Sequence, residues 1–157
     1  MAVTTEKSDQ ITNHEATPPV MTNVADWGGK KIVRYFSFTQ GAAAGDATST
    51  VDLITLPKGD LSIWVPDCVI KYSAFGASRV LDVGYNAYTD IGGDAVAADP
   101  NAMEDDLDVS GAGTSRMSTG LRVNIQSKTD VTILATVAGG TIPAAATLEG
   151  YITYSYN

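Results

Sequence analysis

Cysteine and histidine are nearly missing from this chain: Cys68 and His14 occur once each among 157 residues. A lone cysteine cannot form an intrachain bridge, so the sequence offers no oxidised secretory scaffold. Synthesis in a cytoplasm is the simpler expectation. Metal sites built on Cys/His sets and Cys–His nucleophile pairs have almost no material to work with. Long apolar runs are missing too, since no stretch approaches the length of a membrane helix. The opening residues MAVTTEKSDQITNHEATPPV have neither the basic start nor the apolar centre of a signal peptide. The expectation is a soluble chain without a membrane partner. Basic residues are outnumbered, 10 against 18 acidic, for a formal charge of −8. That balance argues against direct nucleic-acid binding, where affinity depends on neutralising phosphates.

A chain of this length suits one domain, which buries roughly 70% of its extended surface without a metal or disulfide. Residues 1–28 are polar and threonine-rich, carry Pro18-Pro19 and lack a sustained apolar period. They read as an extended N-terminal arm, leaving 29–157 as the folded domain. Trp27, beside Gly28-Gly29, either anchors the arm to its own domain or docks on a neighbouring subunit.

From Lys30 the pattern becomes period two. In KKIVRYFSF, Ile32, Arg34, Phe36 and Phe38 face opposite to Lys31, Val33, Tyr35 and Ser37. GAAAGDATS is too interrupted for a helix. TVDLITLPKGDLSIWV reads as two strands joined at Pro57-Lys58-Gly59-Asp60, with Leu61, Ile63 and Val65 sharing a face. Pro66 marks a bend or strand boundary before CVIKYSAFG. In RVLDVGYNAY, Leu81 and Val83 oppose Asp82, and Gly84 leaves a gap for a ring or a close backbone contact. GLRVNIQS places Leu121, Val123 and Ile125 together, and DVTILATV places Val131, Ile133, Ala135 and Val137 together. Ser127 to Asp130 between them reads as a hairpin turn. TLEGYITYSY sets Leu148, Ile152, Tyr154 and Tyr156 against Glu149, Tyr151, Thr153 and Ser155.

Thr89 to Gly120 is the least regular interior stretch, with seven acidic residues and Arg116 as the one basic residue. It reads as a long acidic surface loop in which PNAMEDDL forms a short helix after Pro100. Seven or eight strands with Gly- and Pro-marked connections predict an all-β chain, an antiparallel β-sandwich of which the jelly roll is one arrangement. An up-and-down or Greek-key barrel fits the same alternation.

The supply of chemistry is thin. Cys68 heads an apolar strand, which suits a packed thiol, and His14 sits in the arm. Asp82 and the loop acids offer carboxylates for acid–base work, yet no pair is given a common rigid face. Asp90, Asp94, Asp99, Glu104, Asp105, Asp106 and Asp108 offer oxygens to calcium, but DPNAMEDDLDVS lacks the central glycine and final glutamate of the twelve-residue calcium loop. Trp64, Tyr72, Phe75, Tyr85, Tyr88, Tyr151 and Tyr154 offer material for a sugar-stacking platform, but sheet packing explains strand aromatics more simply. The expectation is no catalytic residue, no cofactor and no metal, with Val20, Val24 and Trp27 of the arm as assembly contacts.

The stretch KYSAFGASRVLDVGYNAY, with its SAFG and ASR-L-D-GY-AY wording, resembles small structural proteins of tailed bacteriophages. The likeness runs from about Thr50 through VAGGTIPAAATLEGYITY. It implies a virion component, a capsid decoration or cement protein on the outer surface of the head. Its implied partner is the major capsid protein, and its implied state a homo-oligomer, with a trimer matching threefold junctions. Head-completion, tail and fibre-associated roles, and a carbohydrate-binding module, are the alternatives.

Overall fold

The computed structural model describes residues 30–45 and 49–157. The proposed arm, with Val20, Val24, Trp27 and His14, lies outside the described residues. In chain order the strands are β1 (Ile32–Thr39), β2 (Thr50–Leu56), β3 (Gly59–Trp64), β4 (Val69–Tyr72), β5 (Val80–Tyr85) and β6 (Tyr88–Thr89). They continue with β7 (Ala95–Val96), β8 (Asp99–Asp108), β9 (Gly113–Arg116), β10 (Arg122–Ser127), β11 (Val131–Ala138) and β12 (Thr147–Tyr156). Every strand pairing is antiparallel.

Two sheets form the body. In the larger, β12 is flanked by β1 along its length and by β3 and β4 on its other side, one after the other. Those two segments are one strand interrupted by a 3-10 turn at Val65–Asp67, where Pro66 removes a ladder donor. The outer strand is interrupted beside it, β10 pairing with β3 and β9 with β4. Counting each interrupted strand once and leaving aside the separate β6–β7 pair, the larger sheet contains the first, eighth, third and sixth strands of the chain. The second, β2-β11-β5-β8, contains the second, seventh, fourth and fifth. Strands that neighbour in sequence thus alternate between sheets except for β5 and β8, which pair with each other; the result is a sandwich of jelly-roll-like order whose sheets do not close into a barrel.

The alternation places the core as sequence implies. Leu61, Ile63, Val65, Leu81, Val83, Ile125, Ile133, Ala135, Val137, Leu148 and Ile152 are fully buried between the sheets. Each large aliphatic side chain contributes roughly 1.5–3 kcal/mol by transfer, before the entropy of ordering it is subtracted. Alternation fails at strand ends: Leu121, just before β10, and Tyr156 are exposed. Gly84 answers the question of its gap, because a Cβ there would stand 1.9 Å from the Asp99 carbonyl oxygen where β8 crosses β5.

Three local expectations are corrected. Ser127 to Asp130 is no hairpin, since β10 and β11 belong to different sheets. The Pro57-Lys58-Gly59-Asp60 connection also carries the chain from one sheet to the other. The two crossings lie side by side, Lys58 N–H donating to the Asp130 carboxylate at 3.0 Å. PNAMEDDL is not helical but forms most of β8. Its register against β5 shifts twice, so Met103 and Glu104, adjacent in sequence, are both buried. The supposed loop Thr89 to Gly120 therefore holds β8 at the end of the second sheet, most of the β6–β7 hairpin, and β9.

Candidate assembly surface

The larger sheet turns one face to the core and the other outward. On that outer face β1 displays Val33, 44% exposed, and Tyr35, 77% exposed. Tyr35 meets Tyr151 of β12 edge to face, ring centroids 5.7 Å apart. Beside this pair runs an open groove of about 410 Å³, lined by Ser37, Val69, Lys71, Thr114 and Glu149 as well as the two tyrosines. Lys71 of β4 and Glu149 of β12, directly paired across the ladder, form an ion pair at 3.4 Å in its lining. Both are half exposed, so their pairing adds little to stability. The groove is apolar, rimmed by one charge of each sign.

The start of β1 is fixed on the same face. The Lys31 ammonium pairs with the Asp67 carboxylate and lies 4.6 Å over the Trp64 ring, whose Nε1–H donates to Ser155 Oγ at 3.1 Å. An ion pair and a cation–π contact, the latter worth about 0.5–1 kcal/mol at an exposed site, thus hold the point where the chain enters the domain.

The acidic candidates separate into two groups. Several spend their oxygens on nearby backbone. Asp90 Oδ1 accepts the amides of Gly93 (2.7 Å) and Asp94 (2.8 Å), closing the β6–β7 turn. The amide of Asp94 leads the causes that hold this carboxyl below its ordinary pKa. Asp108 accepts Ser110 N–H at 2.8 Å and is likewise lowered. Buried Glu104 accepts Ser118 N–H at 2.6 Å. The other group gathers Asp105 and Asp106 with Asp82, ligand oxygens all within 4.8 Å. One Asp82 oxygen accepts Asp106 N–H at 2.8 Å, supporting a residue at φ 54°, and Asp105 accepts from Asn101 at 2.9 Å. Calcium takes six to eight oxygens. Three carboxylates with two oxygens already engaged supply part of that shell. Asp94 and Asp99 do not join the trio.

Cys68 is sealed in the core, where burial pushes its thiol up to about 11. A thiolate nucleophile is therefore disfavoured there. The aromatic residues do not form one platform. Phe75 and Tyr154 are in the core, Trp64 lies beneath Lys31, Tyr151 pairs with Tyr35, and Tyr85 pairs with Tyr88 at 5.7 Å. A second cavity, about 340 Å³, opens between Tyr88, Asp90 and Val96 of the hairpin region and Asp60, Asn124, Gln126 and Asn157. The Asp60 carboxylate is already bonded by the amides of Gln126 (3.0 Å) and Asn157 (2.6 Å). Sequence reading had passed over the Val33–Tyr35 surface. Its signal was present: two apolar residues on the face opposite Ile32 and Phe36.

No family model matches the chain, and no curated protein matches it. Among solved structures, a chain of the capsid of Ralstonia phage GP4 is similar with a TM-score of 0.61 at 19% identity, over 87% of this chain and 91% of that one. A chain of the cyanophage Pam1 capsid asymmetric unit is similar with a TM-score of 0.57 at 16% identity, over 83% and 88%. At such identities the likeness establishes a shared fold, and it extends over nearly the whole of each chain.

Proposed function

We propose that the protein is a non-enzymatic structural component of a phage virion, a jelly-roll decoration or cement protein on the outer surface of the capsid. The observation that carries the reading is the likeness of this sandwich to chains from two phage capsids over most of the length of each. The wording of KYSAFGASRVLDVGYNAY, similar to small phage structural proteins, supports it from the sequence side.

The mechanism in this reading is mechanical. Copies bind junctions between major capsid protein subunits and add their binding free energy to the cost of separating them. A partner that binds the assembled state alone stabilises it by about 2.7 kcal/mol at a free concentration roughly a hundredfold above Kd, and linked copies compound the effect. A homo-oligomer, with a trimer suited to threefold junctions, supplies that linkage. The arm residues Val20, Val24 and Trp27 are the proposed contacts to a neighbouring subunit or the shell.

The test is to purify virions, wash them at high salt, identify this chain by mass spectrometry and locate it by cryo-electron microscopy. Density on the head at capsomer junctions is expected. Absence from the mature particle overturns the virion reading, and density confined to the neck, tail or fibres overturns the decoration role.

A further inference from the structure

β1 is bonded along one side. Its eight residues pair with β12, and among the described residues no other strand pairs with it. Across the open side, Arg34 Nη1 donates to the Thr55 carbonyl at 3.0 Å. An edge of this length leaves a row of main-chain N–H and C=O groups without strand partners, a template that accepts another strand. Val33 and Tyr35 add exposed apolar surface to the same strand, so main-chain and side-chain docking features coincide.

The chain itself carries a segment of matching size. Between Pro18-Pro19 and Gly28-Gly29 lie the eight residues VMTNVADW, free of proline and glycine and including Val20, Met21, Val24, Ala25 and Trp27. The prolines end strand pairing on one side, and the glycines provide a pivot just before Lys30 and Lys31, where the described domain begins. Charge agrees as well: the segment carries Asp26 alone, whereas β1 carries Arg34 and follows the two lysines.

We propose that residues 20–27 of one copy add as a strand to the open edge of β1 in an adjacent copy, laying alternate side chains beside Val33 and Tyr35. The choice of an adjacent copy rests on the assembly reading above, because the same contacts made within one chain would tie the arm down without linking subunits. Passed from copy to copy around a closed ring, the arm joins each subunit to the next.

The test uses the full chain and the variant Val24→Pro, which removes a strand donor within the arm and leaves the described domain untouched. Native mass spectrometry and hydrogen exchange of the peptide covering 32–39 are measured on both. An oligomer with slowed exchange in β1, both lost in Val24→Pro, is expected. A monomer whose β1 is protected and loses that protection in Val24→Pro overturns the exchange between copies. An oligomer with β1 exchange unchanged by Val24→Pro, or a monomer with unprotected β1, overturns the pairing altogether. None of these outcomes depends on whether virions carry the chain, so failure here and failure of the virion reading are distinguishable.

Discussion

The amide of Thr153 donates to the sulfur of Cys68 at 3.3 Å, across the gap where β3 gives way to β4. Between the pairings of Tyr154 with Ile63 and Tyr151 with Val69, β12 keeps its ladder to β1 but has no ladder partner on the β3/β4 side. The thiol fills that place. Its S–H faces the Trp64 carbonyl at 3.3 Å, while Thr153 Oγ–H donates to the Asp67 carbonyl at 2.9 Å. The interruption that Pro66 introduces therefore leaves the buried amide of Thr153 satisfied.

Replacing Cys68 with alanine removes an acceptor from a buried donor and is expected to cost on the order of 1–3 kcal/mol. Cys68→Ser, which keeps an acceptor, should lose less. Urea melts of both variants check the order, and equal stability of Cys68→Ala and wild type would remove the thiol from its bridging role. Consistent with a raised thiol pKa, a thiol reagent at neutral pH should label Cys68 after unfolding and not before.

Gly84→Ala should be among the most damaging single substitutions in the domain. Its Cβ would meet the Asp99 carbonyl oxygen at 1.9 Å, and backbone on both strands must move to admit it. A loss of about 3 kcal/mol or more is expected, within the range of severe overpacking. Gly111→Ala, where nothing lies within 4 Å, is the control and should change the melting midpoint little.

The β6–β7 turn should loosen in acid. Hydrogen bonds from Asp94 and Gly93 hold Asp90 below its ordinary pKa, so its contribution is full above the unfolded-state value and is lost as pH falls through the lower folded value. Amide shifts of Gly93 and Asp94 followed by NMR should therefore titrate below the range of a free aspartate. A midpoint at the free value counts against the turn as the cause. Asp90→Asn, which keeps the accepting oxygen, should hold the turn and abolish the transition.

Asp82 is expected to matter for the bulged course of β8. Asp82→Ala removes the acceptor for Asp106 N–H and should cost about 1 kcal/mol, whereas Asp82→Asn preserves that bond and relieves carboxylate crowding. Melting temperatures with and without calcium test the rival role: a calcium-dependent rise abolished by Asp82→Asn would make the trio a cation site instead.

Alternation was enough to read β1, β3, β5, β11 and β12, because each keeps Val, Ile, Leu or Phe in step against one buried face. It was silent on which sheet a strand joins. Ser127 to Asp130 has the composition of a hairpin turn whether the next strand doubles back or crosses the sandwich, and the difference resides in pairings with β2, β3 and β5 far away in sequence. β8 was hidden for a different reason. Two register shifts place Met103 and Glu104 inside together and break the period of two, while Pro100 followed by acids imitates a helix start. β9, Gly-Thr-Ser-Arg, has no apolar residue to announce it. The acid trio was illegible because Asp82 meets Asp105 and Asp106 through strand pairing, which no local spacing encodes.

The paired interruptions of the larger sheet have a mechanical consequence. Val65 N–H bonds to the Leu121 carbonyl at 3.2 Å and Met117 N–H to the Cys68 carbonyl at 3.0 Å, so the two breaks are stitched to each other like a crease running inward from one border. β12 and β1 pass it without interruption. One half of the sheet is thus pre-folded and the other continuous. Tension applied along β1 meets an unbroken ladder, while curvature imposed from outside can be taken up at the crease.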